Sequence, residues 1–261
     1  MAFTVHAVMP GVWHIVDCMG VCMTLLEGEN AAMLVDTGYG IEDVADFMRH
    51  MTDLPLTVFL THNHHDHAMG ARCFPETYML EADMADWDIF TNDKMRRRVL
   101  TQAIGKNLTV DEKTFLAGEI PLPKVMKPGV IDLGGLTAEI IEAPGHTPGS
   151  AVVYVPERKL LLSGDDWNPC TWLFFPQALG LREYRSNMRG IQQLPFEKVL
   201  CPHREALYDR WMFDDFFNAL TDGNLRAAEP VNIAPYEQID TCQATLPHDQ
   251  VFVFDWAKSG L

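Results

Sequence analysis

Residues 58–70, VFLTHNHHDHAMG, place four histidines and an aspartate within six positions, directly after an apolar run. The whole chain has only ten histidines, so this segment holds a large share of them. The apolar residues at 56–60 predict a buried strand, and the histidines follow its carboxyl end. Ligands of α/β sheets tend to bind beyond the carboxyl ends of strands. The segment therefore predicts a binding site at one edge of a sheet.

The spacing of these side chains favours metal binding. Residues two apart in an extended segment point the same way, so His62 and His64 can reach one ion. Asp66 and His67 lie beyond, where the chain turns toward a helix near Ala68, and can face a second ion. Neutral imidazoles and carboxylates suit zinc, and also iron or manganese. Without metal, protonated imidazoles repel each other and neutral ones need hydrogen-bond partners, which disfavours a merely histidine-rich polar loop.

The remaining sequence alternates predicted strands and helices, which favours a layered α/β architecture. Strands are predicted at 4–8, 12–17, 22–26, 31–35, 56–60, 136–142, 151–155, 159–162, 198–201 and 251–254, and helices at 41–51, 184–194 and 205–220. A helical insertion is predicted at about 80–118, either covering the site or simply packing on the fold. Without repeats, low-complexity segments or linkers, residues 1–261 are predicted to form one domain.

Composition excludes several classes of function. The apolar fraction of 48% is typical of globular proteins. The formal net charge of −16 disfavours nucleic acid and anionic membranes as partners. One basic run, KMRRR at 94–98, is either a solvated helix face or a patch for an anionic substrate group. Six cysteines without a CxxC pair, no signal-peptide pattern and no membrane-length apolar stretch predict a cytoplasmic protein.

Three further ligand-type residues follow later predicted strands: His146, Asp165 and His203. Each alone is a weak signal, but with the cluster at 62–67 they complete two coordination spheres. The predicted ligand sets are His62, His64 and His146 for one ion, and Asp66, His67 and His203 for the other. The two carboxylate oxygens of Asp165 allow it to bridge the ions. The predicted cofactors are thus two divalent ions, zinc first, with manganese or iron as alternatives.

The motifs together resemble the metallo-β-lactamase superfamily. HNHHDH fits the HxHxDH signature, and LVDTG at 34–38, PGHTPGS at 144–150, SGDD at 163–166 and CPH at 201–203 follow in order. The resemblance covers about residues 3–205 and is closest to glyoxalase II-like and lactonase-like members. It implies a four-layer αβ/βα sandwich, in which two mixed sheets pack face to face with helices outside. It also implies the same ligand sets.

The resemblance and the chemistry of paired ions imply a hydrolytic mechanism. A water shared by two ions loses a proton near neutral pH and attacks a substrate whose oxygen one ion polarises. Asp66 is predicted to be catalytic as a proton acceptor as well as a ligand. Asp36 is predicted either to orient a ligating histidine or to cap the turn before the helix at 41–51. The order of the motifs favours Asp165 over the adjacent Asp166 as the bridging residue, and His65 is expected to face solvent or support the ligands.

Residues after the bridging aspartate bear on the substrate. The aromatic residues between 167 and 175 either line an apolar pocket or pack in the core: Trp167, Trp172, Phe174 and Phe175. Tyr184 is a second predicted catalytic residue, as an oxyanion donor. After Arg226 the chain has a single basic residue, Lys258, which argues against glutathione thioesters.

These observations predict a binuclear metal-dependent hydrolase that acts on a small ester, lactone or thioester. The alternatives are a phosphodiesterase of the same superfamily and a mononuclear iron enzyme similar to persulfide dioxygenases. A non-catalytic zinc module is disfavoured, because structural zinc sites are closed by four ligands. The predicted partner is a small-molecule substrate, and a homodimer is left open.

Overall fold

The structure is a computed structural model that describes residues 3–261. Within this range the strands are β1 (Thr4–Met9), β2 (Val12–Val16), β3 (Cys22–Glu27), β4 (Ala32–Val35), β5 (Leu56–Phe59), β6 (Tyr78–Met79), β7 (Lys124–Val125), β8 (Gly129–Asp132), β9 (Thr137–Glu142), β10 (Ala151–Val155), β11 (Leu160–Leu162), β12 (Cys170–Leu173), β13 (Lys198–Leu200), β14 (Tyr208–Asp209), β15 (Glu229–Pro230), β16 (Thr241–Leu246) and β17 (Gln250–Asp255). The helices are α1 (Val44–Met51), α2 (His65–Ala68), α3 (Trp87–Thr91), α4 (Asp93–Gly105), α5 (Glu112–Phe115), α6 (Leu181–Ile191), α7 (Arg210–Ala219) and α8 (Asp222–Arg226).

Two mixed sheets form the centre of the fold. The first has the order β1-β2-β3-β4-β5-β6-β7, antiparallel up to β4 and parallel beyond it. The second has the order β14-β13-β11-β10-β9-β8, in which only β11 and β13 are parallel among its pairs. Val35 of the first sheet and Val153 of the second belong to one buried cluster, so the sheets pack face to face.

The outer faces of both sheets carry helices. Because side chains alternate along a strand, Val152 points away from Val153 and packs with Met188 of α6 and Phe213 of α7. On the other sheet, Leu34 packs outward against Met48 of α1. Strands covered on both faces need continuous apolar runs, which the sequences of β4, β10 and β11 provide. The predicted four-layer sandwich is confirmed.

A third sheet, with the order β12-β17-β16-β15, was not anticipated by the sequence reasoning. Only its strand at 251–254 was predicted, and it is longer, Gln250–Asp255. β12 pairs in parallel with β17, with Thr171 opposite Phe252. Phe252 and Phe254 pack into the cluster beneath α6 and α7. This sheet holds the aromatic segment that follows Asp165.

The segment predicted as a helical insertion contains α3, α4 and α5 after a 3-10 segment at Glu81–Asp86. Its buried residues Trp87, Val99 and Phe115 pack with Leu60 and Ala68, which flank the histidine segment. The helices therefore border the candidate site. That the segment is an insertion, and that the chain is one domain, stay predictions. Among the described residues, none of the helices has the length and hydrophobicity that crossing a membrane requires.

The topology brings the motif loops to one edge. β4 and β5 are parallel, and Asp36 and His62 follow their carboxyl ends. In the second sheet β11 and β13 are parallel, and Asp165 and His203 follow theirs. Parallel strands end on the same side, so residues remote in sequence meet there.

Candidate metal centre

The seven side chains predicted as ligands converge at this edge. Their potential ligand atoms form overlapping groups in which all atoms lie within 4.8 Å of one another. The histidine-rich group consists of His62, His64 and His146, and the acidic group consists of Asp66, His67 and His203. A third grouping, His62, His67 and Asp165, overlaps both.

Local structure sets the ring directions in the histidine-rich group. His64 is the extended residue that precedes α2, so His62 and His64 lie on the chain before it turns. The His64 Nδ1 atom lies 2.8 Å from His146 Nε2. The rings of His62 and His146 are perpendicular, with centroids 4.9 Å apart. Three imidazole nitrogens thus face one small volume.

Asp165 lies between the two groups. Its Oδ1 is 3.0 Å from His203 Nε2 and 3.5 Å from His67 Nε2, while its Oδ2 is 3.5 Å from His146 Nε2. Asp66 adds a second carboxylate, with Oδ2 3.7 Å from His203 Nε2. Gly164 has a φ of +51°, which favours glycine and turns the chain after β11 toward the cluster.

Several ligand-type atoms in the cluster are buried without a hydrogen-bond partner in the described residues. Among these are His62 Nε2 and His67 Nε2. Buried polar atoms are rarely unpaired, and each such case calls for a missing ligand or another specific cause. Imidazole nitrogens and carboxylate oxygens at this density form a donor set that suits a divalent ion such as zinc. The residues present therefore fit metal ions.

Outer contacts fix the histidine rings by their second nitrogens. Asp36 accepts from His67 Nδ1 at 2.9 Å and from the backbone N–H of Thr61 at 2.7 Å. Thr61 Oγ1 in turn lies 3.1 Å from His62 Nδ1. Asp36 has a φ of +65°, an uncommon conformation for a residue with a side chain. The alternative role of Asp36, capping the turn before α1, is wrong: the N–H of Tyr39 in that turn donates to Asp17, and α1 itself is capped by Asp43.

The rings of His146 and His64 are held by β12 and by the segment that follows it, respectively. His146 Nδ1 lies 2.7 Å from the backbone oxygen of Trp172, which accepts its proton. The Gln177 side-chain amide lies 2.6 Å from His64 Nε2. With the carboxamide turned so that its oxygen faces the ring, Gln177 accepts the Nε2 proton and leaves Nδ1 free as a ligand. Such partners commonly orient ligating histidines.

Residues 16–203 match the family model described as the metallo-beta-lactamase superfamily. The chain belongs to this superfamily. Among curated proteins it is 26% identical over 202 residues to acyl-coenzyme A thioesterase MBLAC2 of Gallus gallus, covering 69% of this chain and 70% of that protein. It is also 26% identical over 149 residues to the probable metallo-hydrolase YqgX of Bacillus subtilis, covering 54% of this chain and 63% of that one.

Solved structures share the fold. A metallo-beta-lactamase from Pontibacter korlensis superposes with a TM-score of 0.60 at 18% identity, covering 85% of this chain and 100% of that chain. A metallo-beta-lactamase family protein from Thermus thermophilus gives a TM-score of 0.60 at 18% identity, covering 85% and 82%. Family membership and the names of the curated relatives together make this chain a metal-dependent hydrolase. The substrate is a separate question.

The paired aspartates after β11 have different surroundings. Asp165 faces the cluster, whereas Asp166 Oδ1 accepts from the backbone N–H of His146 at 3.0 Å. Burial raises the pKa of Asp166 well above its ordinary value. Asp166 therefore anchors the loop that carries His146, and the structure does not bring its carboxyl into the cluster.

A buried acid that sequence reasoning missed joins two superfamily motifs. Asp83 accepts from the backbone N–H of Asn63 at 3.2 Å, from Thr147 Oγ1 at 2.7 Å and from the backbone N–H of Gly149 at 2.6 Å. A Cβ at Gly149 would lie 2.7 Å from Asp83, so this approach requires glycine. Nothing in the sequence around Asp83 distinguishes it from the other acids of its segment, and Gln177 gives no signal either.

The prediction that Tyr184 donates to an oxyanion is wrong. Its side chain is fully buried, and its hydroxyl donates to the backbone oxygen of Asp166. The ring stacks on Phe252 and lies against Gly145, where a Cβ would come within 2.5 Å of it. Tyr184 thus packs from the core against the loops that carry Asp165 and His146. Its hydroxyl is used within the core and cannot reach a substrate.

The aromatic segment after Asp165 divides between core and site. Trp167 is completely buried in the cluster beneath α6 and α7, so it packs the core. Phe174 is also completely buried, and its ring stacks on Phe175. Phe175 contacts His64 and His146, with ring centroids 4.8 and 5.3 Å apart. Trp172 is 36% exposed and lies beside Phe175. Phe90 of α3 contacts His64 from another side, with centroids 4.5 Å apart.

The opening of the cluster lies on its acidic side. The side chains of His203 and Asp66 are 28% and 15% exposed, whereas His67 is completely buried. His65 is partly exposed, and its ring packs edge-on against Tyr39 with centroids 5.5 Å apart. Tyr39 was not singled out in the sequence, yet it forms this rim with His65.

The two groups differ electrostatically. Burial lowers the pKa of His62, His64 and His146, which keeps these imidazoles neutral. Burial also opposes charge on His67, but the carboxylates around it, with Asp165 the strongest, hold its pKa well above the ordinary value. The pKa of His203 is raised against burial in the same way by Asp165.

Proposed function

We propose that the protein is a binuclear metal-dependent hydrolase of small esters, lactones or thioesters, with a thioester as the favoured substrate. The observation that carries the proposal is the position of Asp165. Its carboxylate is within reach of both groups of potential ligands: Oδ2 lies 3.5 Å from His146 Nε2 and Oδ1 lies 3.5 Å from His67 Nε2, while both oxygens lie within 3.1 Å of His203 Nε2. A single structural zinc site does not explain this position of Asp165, since four donors already saturate a structural zinc ion.

In this proposal the histidine-rich group would hold one ion and the acidic group the second, with Asp165 as a ligand available to either. Bound divalent ions would supply an activated water and polarise the carbonyl to be cleaved. Zinc is the proposed metal, with manganese and iron as alternatives. Asp36 and Thr61 hold His67 and His62 in the ring orientation that directs Nε2 into the cluster.

Asp66 is the proposed proton acceptor. Its side chain is 15% exposed, against 10% for Asp165, so it is the carboxylate of the cluster more open to solvent. One oxygen facing His203 leaves the other to take a proton from water or pass it to the leaving group. Phe175 and Phe90 lie against His64 and exclude water from the opposite side.

Two observations support a thioester within this class. MBLAC2 of Gallus gallus is named an acyl-coenzyme A thioesterase, and this chain covers 70% of it. The apolar surface formed by Phe175 and the half-exposed Trp172 lies beside the histidine-rich group and suits an acyl chain. Uncharged esters and lactones with apolar acyl parts use the same surface.

The test is metal analysis followed by a substrate panel with the metal-loaded protein. The panel contains acyl-coenzyme A thioesters, chromogenic esters, lactones, bis-nitrophenyl phosphate and nitrocefin. About two zinc or manganese ions per chain with thioester hydrolysis as the fastest reaction is the expected result. One iron per chain with oxygen uptake on a persulfide would instead establish the oxidative alternative, and cleavage of the phosphodiester alone would establish a phosphodiesterase.

A further inference from the structure

Residues 174–178, which follow β12, carry two side chains that touch one predicted ligand. The ring of Phe175 lies against that of His64, with centroids 4.8 Å apart, and the Gln177 amide lies 2.6 Å from His64 Nε2. β12 ends before this 174–178 segment, and Pro176 within it has no N–H to donate. Backbone groups that leave a sheet need other hydrogen-bond partners when they are shielded from water. The position of the 174–178 segment therefore depends on contacts outside β12.

One cation supplies three of these contacts. Lys258 Nζ donates to the backbone oxygens of Phe175, Pro176 and Ala178, at 3.2, 2.6 and 2.9 Å. An ammonium group has three N–H donors and no acceptor, so these bonds use its full capacity. The backbone N–H of Ala178 also donates to the oxygen of Phe175 at 2.9 Å. Lys258 thus holds a closed turn, and its bonds are of the stronger, charge-assisted kind.

The sheet topology explains why Lys258 reaches this turn. β12 and β17 are neighbouring parallel strands, so the residues that follow them leave the sheet at the same end. Lys258 ends the 3-10 segment Trp256–Lys258, which comes directly after β17. Asp255 fixes that segment by accepting from the backbone N–H of Ala257 at 2.9 Å. The backbone that presents Lys258 is thus itself held in place.

A second residue from the C-terminal part of the chain packs on the same segment. The ring centroid of Tyr236 lies 5.6 Å from that of Phe174 and 5.4 Å from that of Phe175. Tyr236 and Lys258 both lie beyond the end of the match to the family model. Residues outside that match therefore contact the segment that touches His64.

We propose that Lys258 is a positioning residue for the metal centre and for the acyl part of the substrate. By holding the 174–178 segment, it keeps the Gln177 amide on His64 and the ring of Phe175 beside the same histidine. The first contact orients a metal ligand. The second places the apolar surface that the acyl part contacts, and only this second role rests on the proposed function. The C-terminal part of the chain thereby sets properties of a centre to which it supplies none of the seven predicted ligands.

The first test is Lys258→Met, which keeps the length of the side chain and removes its donors. The ion of the histidine-rich group is identified as the one that His64→Ala loses. We expect the affinity for this ion to fall about tenfold and the affinity for the other ion to stay unchanged, as competition with a chelator measures. Lys258→Arg keeps charged N–H donors and should recover part of the loss.

A double-mutant cycle separates positioning from general support of the fold. If Lys258 acts through Gln177, Lys258→Met should lower the metal affinity of the Gln177→Ala variant by less than about twofold, because the contact that it maintains is already gone. Losses that multiply independently overturn the inference, and so does equal weakening of both ions.

Lys159→Met is the matched control. It removes the same charge from an exposed side chain that precedes β11, at the end of the strand opposite to Asp165. Neither metal affinity should change in this variant. An effect as large as that of Lys258→Met would show that net charge, and not the three bonds of Lys258, is responsible.

The substrate measurement compares thioesters of one thiol whose acyl chains differ in length, with metal in excess. Lys258→Met should raise KM a few-fold for a long acyl chain and leave KM for an acetyl group nearly unchanged, because only the long chain reaches the apolar surface. Equal changes for both chains contradict the substrate role. If the unaltered protein cleaves no thioester, the proposed function fails, whereas competition with the chelator still decides whether Lys258 positions the metal ligand.

Thermal unfolding shows whether each variant is folded. If Lys258→Met does not fold, Lys258→Gln, which keeps a neutral N–H donor, replaces it in the same cycle. Failure of both variants to fold would mean that Lys258 supports the fold as a whole, and it would overturn the inference.

Discussion

The histidine-rich group and the acidic group use the same imidazole side chain in opposite surroundings. In the histidine-rich group the rings are buried among one another and against Phe90 and Phe175, and burial lowers their pKa. In the acidic group, carboxylate oxygens of Asp66 and Asp165 lie 3.0–3.8 Å from the Nε2 atoms of His67 and His203, and against burial they raise the pKa of both histidines. One group is apolar and neutral, and the other is charged and partly open to solvent.

The difference teaches that the two groups depend on different features. Neutral imidazoles bind a cation only when a nitrogen lone pair points at it, so the histidine-rich group depends on ring orientation. The acidic group brings negative charge from Asp66 and Asp165, so it attracts a cation even when distances are not ideal. Substitutions that alter orientation or charge separately should therefore act on different groups.

The largest effect is expected for His64→Ala. It removes one of three donors from the histidine-rich group and leaves the acidic group complete. We expect kcat/KM to fall by about a thousandfold or more, since an ion contributes several kcal/mol to the transition state. Metal analysis should show a loss of about one ion per chain. A variant that keeps both its activity and its full metal content would refute the ligand assignment.

Asp165→Asn tests the charge that the two groups share. The amide retains the shape but loses the charge, so we expect one ion to bind more weakly and kcat to fall by about a hundredfold. Asp166→Asn is the matched control, because burial already favours a neutral Asp166 and an amide oxygen can still accept from His146. Titration with a metal-responsive dye measures both variants. If Asp165→Asn keeps its activity and Asp166→Asn loses it, then Asp166, and not Asp165, is the carboxylate that the two groups share.

Gln177→Ala should weaken the histidine-rich group selectively. Without the amide, His64 Nε2 loses the contact that directs Nδ1 toward His146. Loss of such a partner typically costs about 10–100-fold in metal affinity. Competition with a chelator measures the affinity of each ion, and Gln177→Glu, which keeps an acceptor, should recover most of it. Equal weakening of both ions would show that Gln177 acts on the fold rather than on one ring.

The smallest effect is expected for Trp172→Ala. The backbone oxygen that accepts from His146 remains, so metal content should not change. The indole is half exposed, and its loss should raise KM for long acyl chains by a few-fold through lost apolar contact. Trp167→Ala is the contrasting variant. This buried ring packs on Phe213, so its loss should lower the free energy of unfolding by about 3–5 kcal/mol. Thermal unfolding and steady-state kinetics distinguish the two outcomes.

The sequence predicted the layered fold because its signals are local. The buried strands at 32–35 and 151–155 are continuous apolar runs, and their turns carry glycine and proline. The order of the motifs also identified Asp165, rather than its neighbour, as the residue to expect in the cluster. The apolar runs, the turns and each motif are short stretches of neighbouring residues, and a single sequence contains them.

Other features could not be predicted because they depend on contacts between distant residues. Tyr184 and Trp167 look like site residues beside a metal motif, yet both lie in the core, where Tyr184 stacks on Phe252 of β17 and Trp167 packs on Phe213 of α7. Asp83 and Gln177 have no local pattern, and only the packing of the helical segment and of the loop after β12 brings them to the histidines. Strand pairing such as that between 170–173 and 250–255 is set by the whole chain.

The carboxylate of Asp83 has a consequence for how this protein can change. It sits in the helical segment, yet it fastens two loops that belong to the catalytic scaffold, one around Asn63 and the other around Thr147. Exchanging the whole segment for one from a relative would therefore release both loops unless an acid is supplied at the same point. The helical segment therefore cannot change independently of the metal-site loops, because Asp83 belongs to the segment and holds both loops.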